Sequence, residues 1–482
     1  MNRRERRRAV FAALAGAAAL ALAGCASQGG IGPERALYGT PAGTATGWPE
    51  RNAWDAWGDT QLSALIARAL AEQPSLKTVL ARVEQARAAV TLAADARRPH
   101  FTASEQSTNE RLTENGVFPP PLGGATHWTS TLQVAGSWEL DVFGRQAAAL
   151  ASAIGSQRAA EAEAQAARVM LAANVASLYV TLAGAVENVA LATRTRDQRQ
   201  QVLDLVRERV GAGIDSAVDQ RQAELLVAQA SVEIDAAHEQ TERARHALAE
   251  LCGAPPDAFA TLSPTLAPVR SVELPSELPA DLVGRRADLV AQRWRVEASL
   301  SDVEIARADF YPNINLAGAI GISALGLDRL FEMGSRQYSV GPAVSLPIFD
   351  GERLRANLKR RSLDVDIAVD GYNAALTRAL REVADEVSSL KSLERQQRAQ
   401  QAATAAAQGS LDLGLERYRA GLGNFLVVLT AETDVLTQQR NELNLKVRHL
   451  NSEAALSRAL GGGFGADAAS TAMLTNPQRV RR

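Results

Sequence analysis

The stretch from Glu352 to Leu460 contains no proline. Ala, Leu, Arg, Gln and Glu dominate it, the residues that lose least on entering a helix. At ~1.5 Å per residue, a first arm of ~70 residues makes a helix ~100 Å long. That is several times the usual length in a compact domain. A break at Gly421-Leu422-Gly423 then sends the chain back as a second helix. The same design occurs earlier. A helical run from about Gly144 to Val210 meets Gly211-Ala212-Gly213, Ser216 offers a cap, and a return helix reaches Leu251. Two such hairpins predict a rod or a tube.

The hairpins are parts of an internal duplication. Arg286-Ala287-Asp288-Leu289 aligns with Gln73-Pro74-Ser75-Leu76, Arg295-Val296-Glu297 with Arg82-Val83-Glu84, and Pro312 with Pro99, all at an offset of about 213 residues. Phe349-Asp350-Gly351 repeats the strand-to-helix turn at Phe143-Gly144. Glu416-Arg417-Tyr418 through Gly421 repeats Glu208-Arg209-Val210 through Gly213. Trp54 and Trp57 mark the start of packing, and Asp59 or Thr60 can cap a helix bearing Leu62, Leu65, Ile66, Ala69 and Leu70 on one face.

Between the short and long helices of each half lies a strand hairpin. From Thr126 to Val142, Trp128, Ser130, Leu132 and Val134 alternate with Thr129, Thr131 and Gln133. Each expected strand is about ten residues, enough to cross a bilayer when tilted. The layout is therefore a linker over 25–58 and a first repeat over 59–260, with its strand hairpin at about 100–142 and its helical hairpin at about 144–251. A linker over 261–280 leads to a second repeat over 281–460, with a strand hairpin at about 311–348 and a helical hairpin at about 351–460. A Gly/Ala-rich tail covers 461–482. Four strands per chain cannot close a membrane barrel, because the smallest need about eight and open edges in lipid leave backbone groups unpaired. Strand counting leaves a dimer with eight strands or a trimer with twelve.

Residues 1–24 read as a signal peptide. Arg3, Arg4, Arg6, Arg7 and Arg8 precede an apolar run from Ala9 to Ala23. The run ends in Leu22-Ala23-Gly24-Cys25, a match to the bacterial lipobox, so a covalent lipid on Cys25 is the one expected cofactor. The formal net charge of −2 argues against nucleic acid as a partner. The five histidines are scattered without metal-ligand spacing, and no nucleophile elbow or phosphate loop occurs, so neither a metal site nor catalysis is expected. Cys252 reads as a small apolar packing residue. Asp364, Asp366 and Asp370 read as a solvated or tunnel-lining helix face.

Together these features resemble a family, the TolC-like outer membrane factors, in their lipoprotein branch. The resemblance rests on the lipobox, Trp54 with Asp59-Thr60-Gln61-Leu62, and Arg285-Arg286-Ala287-Asp288-Leu289. It also rests on Tyr311-Pro312, Ser345-Leu346-Pro347-Ile348-Phe349, Tyr418 to Leu429, and Ala459-Leu460-Gly461-Gly462-Gly463. Where the family motif usually has proline, this chain has Ala287. The resemblance implies an α+β membrane protein: a homotrimer with a twelve-stranded β-barrel and a long α-helical tunnel in the periplasm. It implies an anchored protein of the outer membrane, among outer membrane lipids, that works with a periplasmic adaptor and an inner-membrane RND-type pump as their passive exit duct. Absence of Asp after Cys25 favours the outer membrane on the same grounds. A type I protein-secretion duct and a non-conducting structural lipoprotein are the alternatives.

The resemblance also assigns roles. Gly213, Ser216, Gly421, Gly423 and Asn424 fall at the far periplasmic tip, where the adaptor is expected to dock. Leu426 and Thr430 align with the gate, at an apolar position and at a usually acidic one. Glu432 and Asp434 lie nearby and read as a solvated helix face.

Overall fold

The computed structural model describes residues 27–39, 53–266 and 280–462. The expected signal peptide, Cys25, residues 40–52 and 267–279 of the two expected linkers, and the tail beyond residue 462 lie outside the described residues. Short helices α1 (Ala53–Ala56), α2 (Thr60–Glu72) and α3 (Pro74–Asp95) lead into strands β1 (His100–Arg111) and β2 (Thr126–Leu140). The helical hairpin α4 (Arg145–Gly211) and α5 (Ala217–Leu251) follows. Then come α6 (Ala287–Ala308), β3 (Asn313–Leu325), β4 (Arg336–Ser345), α7 (Gly351–Arg419) and α8 (Phe425–Ala459). The duplication is visible in the element lengths: α3 and α6 each have 22 residues, and α5 and α8 each have 35.

The chain divides into two compact units. Among the described residues, the first combines 27–37, 82–160 and 292–372. Its four strands form one antiparallel sheet in the order β1-β2-β3-β4, so β1 and β4 are both open edges. The register joins the two repeats through β2 and β3, with Ser137 opposite Ala317. Below the sheet, Val296, Val303 and Phe310 of the α6 region pack against Leu354, Leu358, Val365 and Val369 of α7. Residues 27–37 run along this core, with Ile31 and Leu37 against it.

The aspartates on α7 stay partly solvated, and that segment gives two of them partners that the sequence did not reveal. Asp366 Oδ1 accepts the backbone N–H groups of Glu34 and Arg35 at 2.8 and 2.9 Å. Asp370 faces the Arg35 guanidinium at 3.6 Å. Asp364 pairs with Arg360 and Arg361 of its own helix. A chain with no strand partner thus finds acceptors for its backbone donors in side chains.

Among the described residues, the second unit combines 38–39, 53–81, 161–266, 280–291 and 373–462. Its core explains the tryptophan and Asp-Thr-Gln-Leu motifs. Asp59, not Thr60, is the cap of α2, accepting from Gln61 N–H at 2.8 Å and Leu62 N–H at 3.2 Å. Its second oxygen takes the Tyr179 hydroxyl at 2.6 Å. Burial, helped by that carboxylate, pushes the Tyr179 pKa up, so the phenol stays a donor. Trp57 is fully buried and its indole N–H donates to Glu453 at 2.9 Å. Cys252 is buried and free, as a small apolar residue would be. Where α4 meets α8 the approach is close: a Cβ on Gly184 would sit 2.5 Å from a Val447 methyl, which would have to shift.

Candidate functional site

Two features can carry function: the sheet, and the paired helical turns. In the sheet, register places alternate residues on opposite faces. One face carries Phe101 of β1; Trp128, Leu132, Val134 and Trp138 of β2; Leu316 and Ile320 of β3; and Tyr338, Val340 and Val344 of β4. All of these are exposed. The other face carries Thr102, Ser104, Gln106 and Thr108; Thr129, Thr131 and Gln133; Asn313, Asn315 and Ser323; and Gln337 and Ser339. An apolar expanse of this kind is costly against water. Strands of 12, 15, 13 and 10 residues are long enough to cross a bilayer. The apolar face gives out along β1, where Glu105, Ser107, Asn109 and Arg111 take over toward the connecting loop. There Ser107 bonds to Glu105 at 2.6 Å and to the fully buried Ser130 at 3.0 Å. Alternation in β2 was readable in the sequence. The faces of β1, β3 and β4 emerge only once the register is known.

The two turns are built alike. Gly213 and Gly421 both adopt positive φ, at 72° and 75°, which glycine tolerates without Cβ strain. Ile214 N–H then reaches back to the Arg209 carbonyl at 2.9 Å, and Leu422 N–H to the Arg417 carbonyl at 2.8 Å. Ser216 caps α5 and forms a reciprocal capping box with Asp219. Asn424 caps α8 by accepting from Val427 N–H at 3.2 Å. Gly423 bridges the second turn and its cap.

A lock joins one turn to the other, and sequence reasoning missed it. Arg209 makes a two-pronged ion pair with Asp215, at 2.9 and 3.2 Å. The Tyr418 hydroxyl donates to the same carboxylate. Arg209 Nη1 donates to the Tyr418 carbonyl at 2.9 Å, and its guanidinium lies 4.4 Å above the Tyr418 ring. Tyr418 is fully buried and packs beside Phe425. The Arg209 hydrogen bonds hold the Asp215 carboxyl below its ordinary range, against its partial burial. Burial and Asp215 push the Tyr418 hydroxyl up. The duplication held the clue: Val210 and Gly423 stand where the other turn has Tyr418 and Asp215, so only one copy of each partner exists.

Around this lock the surface is apolar. Ile214, Val218, Leu422, Leu426 and Val427 are each more than half exposed. Leu426 therefore projects outward from its helix. Thr430 is exposed too, with its hydroxyl returned to the Leu426 carbonyl at 2.9 Å. Thr433 and Thr437 extend this exposed line in the same way. Asp434 is exposed, but Glu432 corrects the expectation of a solvated face. Glu432 is 4 % exposed and faces Arg199 of α4 at 3.8 Å. It belongs to the buried stripe of Phe425, Val428, Ala431 and Val435. Burial pushes its pKa up, and Arg199 only partly offsets this.

A family model described as outer membrane efflux protein matches residues 65–254 and 278–462. The chain belongs to that family. It is 33% identical to the outer membrane protein OprJ of Pseudomonas aeruginosa over 412 residues, covering 84% of this chain and 85% of the relative. It is 29% identical to the multidrug resistance outer membrane protein MdtP of Shigella flexneri over 430 residues, 88% of each chain. Among solved structures it is similar to the outer membrane protein VceC of Vibrio cholerae. There the TM-score is 0.80 at 33% identity, over 86% of this chain and all of that one. The family and fold are those of outer-membrane channels. In this fold three four-stranded sheets, one from each chain of a trimer, complete a twelve-stranded barrel that continues into a helical tunnel.

Proposed function

We propose that the chain is the outer-membrane exit duct of a tripartite efflux system. It passively carries small toxic molecules handed over by an inner-membrane pump and a periplasmic adaptor. The observation that carries this reading is the two-faced sheet with two open edges. Its apolar face suits lipid, its polar face suits a water-filled lumen, and its edges suit neighbouring copies. A non-conducting periplasmic spacer has no use for the apolar face. The names of the relatives, which include multidrug resistance proteins, favour small molecules over a secreted protein as cargo.

In this reading the paired turns form the periplasmic tip. Gly213, Ser216, Gly421, Gly423 and Asn424 shape it, and the exposed apolar residues around them offer the adaptor a docking surface. Leu426 is the constriction, with Thr430 beside it. Here Thr430 replaces the acidic group expected at that level, so closure depends on apolar contact and on the Arg209–Asp215–Tyr418 lock. Acyl chains on Cys25 fix the duct to the membrane; Cys25→Ala is expected to abolish incorporation of labelled palmitate, and retained label would refute the lipid anchor. The barrel reading is tested by a cysteine at Val117, which is 91 % exposed in the β1–β2 loop. Labelling of that cysteine on intact cells by a membrane-impermeant maleimide is the expected result. Protection until the outer membrane is broken would contradict it.

A further inference from the structure

The internal duplication means that the seam inside one chain is a template for the seam between chains. Within a chain, β2 of the first repeat pairs with β3 of the second. Between chains, β4 of the second repeat must meet β1 of the next copy's first repeat. This rests on the trimeric reading above and deepens it by naming the contact.

At the base of the internal seam, Phe143 stacks on Tyr311 with ring centres 4.8 Å apart and planes within 9°. Phe143 lies two residues before the first residue of α4, and Phe349 lies two residues before the first residue of α7. Tyr311 lies two residues before β3 and is followed by Pro312. Arg98 lies two residues before β1 and is followed by Pro99. Phe349 is 98 % exposed and has no aromatic partner among the described residues. The Arg98 side chain is 77 % exposed, with only a long 4.0 Å approach to Asp95.

We infer that Phe349 of one chain packs under the Arg98 guanidinium of the next, a cation–π contact in the place of the internal aromatic stack. The internal seam has a second fastening, Arg145 to Asp309 at 3.3 Å. The outer seam does not repeat it. Ala96 stands where Asp309 does, and Gly351 stands where Arg145 does, so neither partner of that ion pair is present. Phe349 and Arg98 are thus the side chains left to tie this level of the seam.

The test is a disulfide. In one chain β1 and β4 are separated by three strand spacings, about 14 Å. A disulfide needs Cα atoms within about 7 Å, so a bond between these positions can form only between copies. The full-length chain carrying Phe349→Cys, Arg98→Cys and Cys252→Ser is oxidised in outer membranes and run on denaturing gels. Covalent trimers are expected, with none from either single cysteine. A His100→Cys partner in place of Arg98→Cys is expected to cross-link poorly. Native mass in detergent is measured in parallel. Trimeric mass without the cross-link, or a cross-link through residue 100 instead, overturns this seam and leaves the duct standing. Monomeric mass overturns both. As a second readout, Arg98→Ala should lower the temperature at which trimers dissociate, while Arg98→Tyr should hold or raise it by restoring the aromatic stack. Equal losses from Ala and Tyr would contradict the contact.

Discussion

Replacing Arg286 with alanine is expected to destabilise the second unit strongly, costing about 3 kcal/mol or more. Arg286 is 7 % exposed. Its guanidinium reaches Glu382 at 2.9 Å, Asp288 at 2.8 Å, and the Ala459 carbonyl, the last of α8, at 3.1 Å. One side chain thus ties the start of α6 to α7 and to the end of α8. Truncation leaves the Glu382 carboxylate in a sparsely hydrated site without that partner, and the desolvation cost falls on the protein. Arg286→Ala combined with Glu382→Ala should recover part of the loss, because the more buried of the two carboxylates that Arg286 pairs with is then no longer left without it. Denaturant unfolding in detergent reads both; a loss under about 1 kcal/mol for the single variant would refute the assignment.

The site also sets a pH window. Burial alone would raise the Asp288 carboxyl, but the Arg286 hydrogen bond and charge outweigh it and hold it below the usual range. A folded value below the unfolded one adds stability that is fully present above the ordinary aspartate pKa of about 4. It is lost only as pH falls further, through the lowered folded value. The Arg286 contribution should therefore be flat from neutral pH to about pH 5 and decline below about pH 4.

The second large effect is expected at the paired turns. Asp215→Asn removes the charge that holds Arg209 and weakens the acceptor for Tyr418. Tyr418→Phe deletes only the hydroxyl. Hydrogen bonds to charged groups are worth about 1.5–3 kcal/mol, so losing this set shifts a closed–open balance by roughly tenfold or more. Both variants should raise resting leakage, measured as sensitivity to a large antibiotic that ordinarily stays outside. Asp215→Asn should do so more strongly. Leu426→Ser should also increase leakage, by more than Thr430→Ala, because Leu426 offers apolar bulk while the Thr430 hydroxyl is already spent on the Leu426 carbonyl. Unchanged leakage in Asp215→Asn and Tyr418→Phe, with trimers intact, would mean that the lock does not hold the turns closed.

Much of this architecture was readable from local chemistry. Prolines and glycines punctuate both repeats, and the offset of about 213 residues between Pro99 and Pro312 reappears between the first residues of α3 and α6 and of β1 and β3. Gly213 and Gly421 stood out because a helix reversal needs positive φ. What escaped was set by partners far away in the chain. Glu432 looked solvated as a lone acid on a helix. Its spacing from Val428 and Val435 already placed it on the buried stripe, and its partner Arg199 is on another helix. Asp366 looked like one of a run of surface acids, yet it binds the backbone of residues 34 and 35. The turn lock pairs Asp215 with a tyrosine from the other repeat, where the two copies differ and the duplication gives no guide.

Single-channel recording in planar bilayers tests the central claim most directly. Purified wild-type trimers are expected to insert and pass ions through a pore whose conductance rises when Asp215→Asn unlocks the turns. Trimers that insert yet pass no current, in both the wild type and Asp215→Asn, would contradict the account of this protein as an exit duct.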